Sequence, residues 1–218
     1  MEISVVLPVY IKTKDHLAMS IRCLDMARKN TKLPYELVIV ETCSDYLKDY
    51  ADVHIYEKER TDVNKSSNRS FKCASGEYIV GLTNDVFVGE DWLECLVKCF
   101  EIPDCGIATL ASTESGNKKE DKIVEEVYFP LVMFSRKLFD KIGYFDEEYK
   151  MYWADADFMV RTYEAGFKMY RNYNCVVEHK PGSTLYDEPR WEAICLEGRQ
   201  RFNEKHKDCQ LPIFQKLR

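Results

Sequence analysis

The turn that follows the first apolar run, PVYIKTKD, contains no glycine. A Gly-rich phosphate cradle of the dinucleotide-binding kind is therefore excluded, and any diphosphate bound there must be neutralised by something else. The nine cysteines, at 23, 43, 73, 95, 99, 105, 175, 195 and 209, include no CxxC pair. Cys95 and Cys99 stand four apart on an expected helix without the His partners that would complete a zinc site, so buried free thiols in a reducing compartment are expected. No apolar run approaches the roughly 18 residues that a membrane span needs. The opening MEISVVLPVY shows neither a basic leader nor a small-residue cleavage site, and a cytoplasmic protein is expected. A basic stripe is also missing: Lys plus Arg is 31 against 37 for Asp plus Glu, a net charge of −6. That argues against a nucleic-acid partner. An acidic chain that takes a phosphorylated ligand does so through a metal ion or a few placed side chains.

What is present fits one sizeable globular domain of 218 residues, 45% apolar and 31% charged. Apolar runs at 3–7, 36–40, 53–56, 78–82 and 106–110 read as strands, the first of them closed by Pro8. Helical spacing covers 15–30, 64–74 and a stretch opening at Glu90-Asp91-Trp92, with Gly76 as a stop just past the second. Strand, helix, strand at this spacing is a parallel crossover. Residues 111–126 are charged and Ser/Gly/Lys-rich and read as a mobile surface loop. Beyond them, a strand at 127–134, a helix at 136–142, a helix opening near Asp155, two short strands at 168–171 and 175–178, and a helix over about 187–206 are expected. The fold class is α/β: a single domain with a Rossmann-like, mostly parallel central sheet flanked by helices and a small antiparallel element in its second half.

The chain is organised around residues 77–93, EYIVGLTNDVFVGEDWL, a buried strand ending in polar Thr83-Asn84-Asp85. Ligands of open α/β sheets bind beyond the carboxyl ends of the strands, which directs attention to Asp85. An Asx turn explains the same residues equally well. Asp155 sits at a helix opening, where free backbone N–H groups favour a carboxylate and hold it ionised, as a base must be. Asp157 stands four before Arg161 and is read as its ion-pair partner. Two residues apart on a helix, Asp155 and Asp157 point to different sides. His179 follows a strand and precedes Lys-Pro-Gly-Ser; with a carboxylate on the same rim it would complete a divalent site. A mixed imidazole and carboxylate shell suits Mn²⁺ better than Mg²⁺. Glu41 and Asp45 end the second strand, and Asn68 and Arg69 lie on a polar helix beside the central strand, placed for a ligand or for solvent.

Together these pieces resemble the inverting family 2 glycosyltransferases of GT-A fold. SVVLPVY is similar to the family's opening strand and loop, and LVIVETCSD to its second strand. NRSFKCASGEYIVGLTNDVFVGEDWLE resembles the rhamnosyltransferase-like branch that writes the metal motif Asn-Asn-Asp. GYFDEEYKMYWADADFMVRTYEAGF is similar to Gly-x-Phe-Asp-Glu followed by Glu-Asp-x-Asp-Leu-x-x-Arg, and VEHKPGST to a late His-x-x-Gly-Ser. The resemblance implies that Asp85 and His179 bind a divalent metal, Mn²⁺ in preference to Mg²⁺, and that Asp155 is the catalytic base. It also implies that Pro8, Val9, Tyr10, Glu41, Asn68, Thr83 and Asn84 line the donor, with Tyr152 and Trp153 on the acceptor side. The implied partners are a nucleotide-diphosphate sugar, UDP by default, and a hydroxyl of a glycan or other acceptor. Residues 1–110 would be the donor half and 111–218 the acceptor half.

Three positions depart from the family's pattern: Thr83 for the first acid of the metal motif, Glu41 for Asp, and Ala154 for the Glu beside the base. Thr83 and Ala154 motivate an alternative, a nucleotide-sugar-binding module with impaired catalysis. Nucleotidyl transfer would need the Gly-rich basic loop that is missing.

Overall fold

The computed structural model describes residues 2–126, 129, 131–180, 190–211 and 214. Its centre is β1, Ile3–Tyr10, hydrogen-bonded in parallel register to β2, Glu36–Thr42, on one side and to β4, Tyr78–Gly81, on the other. Both faces of β1 are covered, so its apolar run is nearly unbroken, as a buried parallel strand requires. The first strand runs past Pro8, contrary to the expectation of a stop there. Pairing with β4 covers only Ile3 to Val6, and Leu82 N–H closes it on the Val6 carbonyl at 2.9 Å. Two residues on, Pro8 faces the same side, where no strand asks for the N–H it lacks.

β3, Val53–Glu57, extends the parallel set beyond β2. After β4 come β5, Val86–Phe87, then β6, Cys105–Ser112, and β7, Ile123–Glu125. β8, Val132–Ser135, lies antiparallel between β4 and β6, and β9, Lys168–His179, runs parallel to β6. The strand order is β3-β2-β1-β4-β8-β6-β9-β5, with β7 also on β9. The carboxyl ends of β1, β2, β3, β4, β6 and β9 therefore share one edge. Chain order reverses between β1 and β4, the switch point at which α/β sheets bind ligands.

Six α-helices are described. α1, Lys14–Lys29, and α3, Trp92–Cys99, cover the face onto which Val5, Leu7 and Val9 project. α2, Val63–Cys73, α4, Arg136–Ile142, α5, Ala154–Glu164, and α6, Trp191–Lys205, cover the other, around Val6, Phe71, Phe134, Phe158 and Phe202. Gly76 is a close-approach glycine as well as a stop. A Cβ there would lie 2.6 Å from the backbone nitrogen of Ser4.

Four expectations are corrected. Ala111 and Ser112 belong to β6, and residues 123–125 form β7, so the expected loop 111–126 is shorter, closed by Glu120 N–H on the Tyr173 carbonyl of β9 and by Tyr173 N–H on the Lys122 carbonyl. The two short strands expected at 168–171 and 175–178 are one strand with a register shift between the Leu110 and Ala111 pairings. The strand expected over 127–134 begins at Val132 in the structure; residues 127, 128 and 130 lie outside the described residues, as do 187–189 of the last helix. Finally, Cys95 of α3 and Cys175 of β9 form a disulfide across a separation of 80 residues, where free thiols were expected; spacing alone cannot reveal a pairing made by tertiary structure.

Candidate functional site

The 83–85 turn is held from below by α1. Cys23 Sγ donates to the Thr83 carbonyl at 3.4 Å, and Asn84 Nδ2 donates to Ser20 Oγ at 3.0 Å. Burial, with the Asp85 carboxylate adding to it, pushes the Cys23 thiol up to about 12, so this cysteine is an inert strut. From the far side, Lys180 N–H reaches the Asp85 carbonyl at 3.0 Å, and β5 pairs Val86 with His179. These restraints bring the Asp85 side chain to His179, with Oδ2 and Nε2 3.8 Å apart and the two side chains 14% and 16% exposed. That is too long for a hydrogen bond between them. The other ring nitrogen, Nδ1, is 2.5 Å from Glu114 Oε2. Sequence reasoning missed Glu114 because it lay in a stretch read as loop. Pro181, Gly182 and Ser183, the rest of the late motif, lie outside the described residues.

Among the described residues no group of three His, Cys, Asp or Glu side chains converges on one point. The donor set still fits a divalent ion. One imidazole nitrogen and one carboxylate oxygen face each other without bonding, largely shielded from water, and a phosphorylated substrate brings further oxygens.

Asp155 is tied to the same strand by connectivity: it opens α5, which turns through Gly166 into β9, the strand that ends at His179. The residue at its N-terminal boundary, Trp153, has a φ of 74°, a left-handed conformation that costs a non-glycine residue about 1–2 kcal/mol. Its ring packs 5.2 Å from Phe202, and a Cβ on Gly198 would meet Trp153 Cδ1 at 2.9 Å. Burial pushes the Asp155 carboxyl up, although the N–H of Ala156 donates to its Oδ1 at 2.9 Å. The helix end favours its charge as expected, but desolvation outweighs the backbone in setting the direction of the shift.

The structure reassigns several expected donor contacts to scaffolding. Glu41 is fully buried, and Ser44 Oγ, the N–H groups of Tyr46 and Leu47, and His54 Nε2 all lie within 3.0 Å of its carboxylate. It shapes the turn after β2 and has no oxygen left for a nucleoside. Asn68 pins the 143–149 segment, bonding Phe145 N and O and Glu147 Oε1 at 2.9–3.0 Å, and is 2% exposed. Arg69 pairs with Glu57 at 3.1 Å. Val9 and Asn84 are buried, and Trp153 is packed against α6 rather than presented as a platform. Of the rest, Pro8, Tyr10 and Tyr152 are partly exposed and Thr83 is exposed. The Arg60 guanidinium, not anticipated, lies 5.2 Å from the Tyr10 ring centre, putting a cation beside the end of β1. Asp157 behaves as expected, 2.8 Å from Arg161, and also takes Lys205 at 2.7 Å and His206 at 2.8 Å.

A parallel sheet with its switch point at β1 and β4, followed by an inserted antiparallel strand, a carboxylate and histidine at one edge, and a helix opening on an aspartate, defines a GT-A type α/β domain. Residues 4–162 match Glycosyl transferase family 2, and the chain belongs to that family. It is 28% identical over 188 residues to a protein of Bacillus subtilis (strain 168) described as the uncharacterized glycosyltransferase YwdF, covering 74% of this chain and 68% of that one. In structure it is similar to the mannosyltransferase PcManGT from Pyrobaculum calidifontis, solved with GDP-Man and Mn²⁺, at a TM-score of 0.73 and 18% identity over 99% of this chain and 67% of that one. S. aureus TarS gives 0.72 at 15% identity, this chain spanning 41% of its length. GalNAc-T7 with UDP, GalNAc and Mn²⁺ gives 0.69 at 12%, with 52% spanned.

Proposed function

We propose that this chain is a metal-dependent, inverting glycosyltransferase that moves a hexosyl or deoxyhexosyl group from a nucleoside diphosphate, UDP as the first choice, to a hydroxyl of a glycan or similar acceptor. The observation that carries the reading is the gap between Asp85 Oδ2 and His179 Nε2; Asp155 opens the helix that leads into the strand ending at His179. A divalent ion, Mn²⁺ before Mg²⁺, held by Asp85 and His179 would supply Lewis-acid stabilisation of the departing diphosphate. Asp155, desolvated and hence more basic than a surface carboxylate, takes the proton of the attacking hydroxyl. One displacement from the opposite face of the sugar then inverts the anomeric centre. Tyr10, Pro8 and the turn shaped by Glu41 form the donor side within residues 1–110. Tyr152 and the elements of 111–218 form the acceptor side. The Mn²⁺ in PcManGT and in GalNAc-T7 supports the metal assignment.

The test is turnover of UDP-, GDP- and dTDP-sugars with Mn²⁺ or Mg²⁺, comparing wild type with Asp155→Asn. Metal-dependent release of nucleotide that Asp155→Asn lowers about 10²- to 10⁴-fold is expected. Equal rates in the two proteins would remove Asp155 from its role. The impaired binding module has one observation in its favour: Ala154 is 1% exposed and packed in the core, at the position where the family pattern has a Glu beside the base. UDP binding without turnover of any donor would select it.

A further inference from the structure

We propose that Glu114 is a positioning residue for the metal: its carboxylate fixes the tautomer and orientation of His179 so that Nε2 presents a lone pair toward Asp85. This deepens the metal reading above and rests on it. A neutral imidazole has one N–H and one lone pair, and the partner of either nitrogen decides which is which. The Glu114 carboxylate, an acceptor only, sits 2.5 Å from Nδ1 and therefore takes the Nδ1–H. Nε2 is left as the acceptor, 3.8 Å from Asp85 Oδ2 and not hydrogen-bonded to it. With Glu114 removed, the proton is free to sit on Nε2, where it blocks a metal. Carboxylate support of this kind is what orients ligating histidines generally.

The fold builds the contact deliberately. β6 and β9 are parallel neighbours with Ser112 aligned to Val177, so Glu114 and His179 each stand two residues past an aligned pair. Thr113 N–H bonds the Val177 carbonyl at 2.9 Å and carries the sheet one step further. Gly116, at a φ of 69°, then turns the chain, its N–H on the Thr113 carbonyl at 2.9 Å. Glu114 is thus delivered by a formed turn. Its side chain, 38% exposed, covers the outer side of a ring that is 16% exposed. A stretch that the sequence places as a surface loop in the expected acceptor half thereby gains a duty in the metal site.

The experiment is a titration of the 218-residue chain with Mn²⁺ in the presence of UDP, followed by the electron paramagnetic resonance of free Mn²⁺, for wild type, Glu114→Ala, Glu114→Gln, His179→Ala and Glu114→Ala with His179→Ala. Glu114→Ala should weaken Mn²⁺ about 10- to 100-fold. Glu114→Gln, whose amide oxygen still accepts the Nδ1–H, should recover most of that loss. In the His179→Ala background Glu114→Ala should add nothing, because its effect travels through the ring. Unchanged affinity in Glu114→Ala beside a weakened His179→Ala overturns the proposal and leaves the metal reading standing. An equal loss from Glu114→Ala in both backgrounds also overturns it, since Glu114 would then act without the histidine. Unchanged affinity in His179→Ala sinks the metal reading itself. Melting curves of the variants exclude loss of fold as the cause.

Discussion

At Asp155 two influences oppose each other: burial disfavours the charge, while backbone N–H groups of the first turn of α5 favour it, and burial prevails. A carboxyl raised in the folded state takes up its proton more readily there than in the unfolded chain, which has a pKa of about 4. Stability from this group is therefore present below that value and lost as pH rises through the folded pKa, so ionised Asp155 weakens the fold at neutral pH. Two outcomes follow for Asp155→Asn. The variant should melt higher than wild type at pH 7 while losing about 10²- to 10⁴-fold in turnover, a stability and activity trade at one atom pair. In wild type, the acidic limb of kcat/KM should lie above the ordinary carboxylate range, because the base works only when unprotonated. A pH profile from 4 to 8, paired with melting curves, reads both. A limb at or below pH 4 would contradict the burial argument.

Among the elements, α5 is the one whose placement decides the chemistry, and it is fastened at its first two turns. Asp157, fully buried, gathers Arg161, Lys205 and His206, while Arg161 also donates to the Ile142 and Tyr144 carbonyls at 2.7 and 2.9 Å. Asp157→Ala would leave Arg161 and Lys205 facing an empty site and should cost about 3–5 kcal/mol in urea unfolding. Asp157→Asn, which keeps the shape, should cost less. On the opposite face the disulfide ties α3 to β9, the strand that ends in His179. Cys175→Ser should lower stability by about 2–4 kcal/mol under oxidising conditions, and a reductant should erase the difference from wild type. A gap that survives reduction would mean that the thiols matter by packing alone.

For the molecule as a whole, the parallel half was legible because β1, α1, β2, β3, α2 and β4 each carry a local signature, period 2 or 3.6 with turn residues between, and neighbours in sequence are neighbours in space. The second half was read less well, since β7 and the middle of β9 gain their strand character from each other, and Glu114 and Cys175 acquire partners only when β6, β9 and α3 meet. Among the candidate site residues, Asp85, His179 and Asp155 stood out by position at strand and helix ends. Glu41 and Asn68 were visible too, but whether a polar side chain at such an end faces a ligand or the protein depends on hydrogen bonds that spacing does not encode. Other carboxylates held between elements govern how the whole fold meets acid. Asp146 is subject to burial, which alone would raise it, but Lys205, the Glu148 N–H and Arg201 outweigh that and hold its carboxyl at about 2. Glu57 is likewise subject to burial and is held low by Thr61, Ser66, Thr42 and Arg69, and Glu36 by Ser4, Ser75 and Arg136. Each joins layers: Asp146 meets α6, Glu57 meets α2, and Glu36 meets the chain before β4. A carboxyl depressed in the folded state contributes stability above its unfolded pKa, and that contribution is lost as pH falls toward the folded value. For Asp146 the window runs from about pH 4 down to about 2. Asp146→Asn should therefore unfold more easily at pH 7, by about 1 kcal/mol once solvent screening is allowed for, and converge on wild type as the pH approaches 2. Urea midpoints at pH 7, 4, 3 and 2 measure the convergence. A constant offset across that series would show that Asp146 stabilises the junction of the 143–149 segment with α6 by packing, and that its charge is incidental.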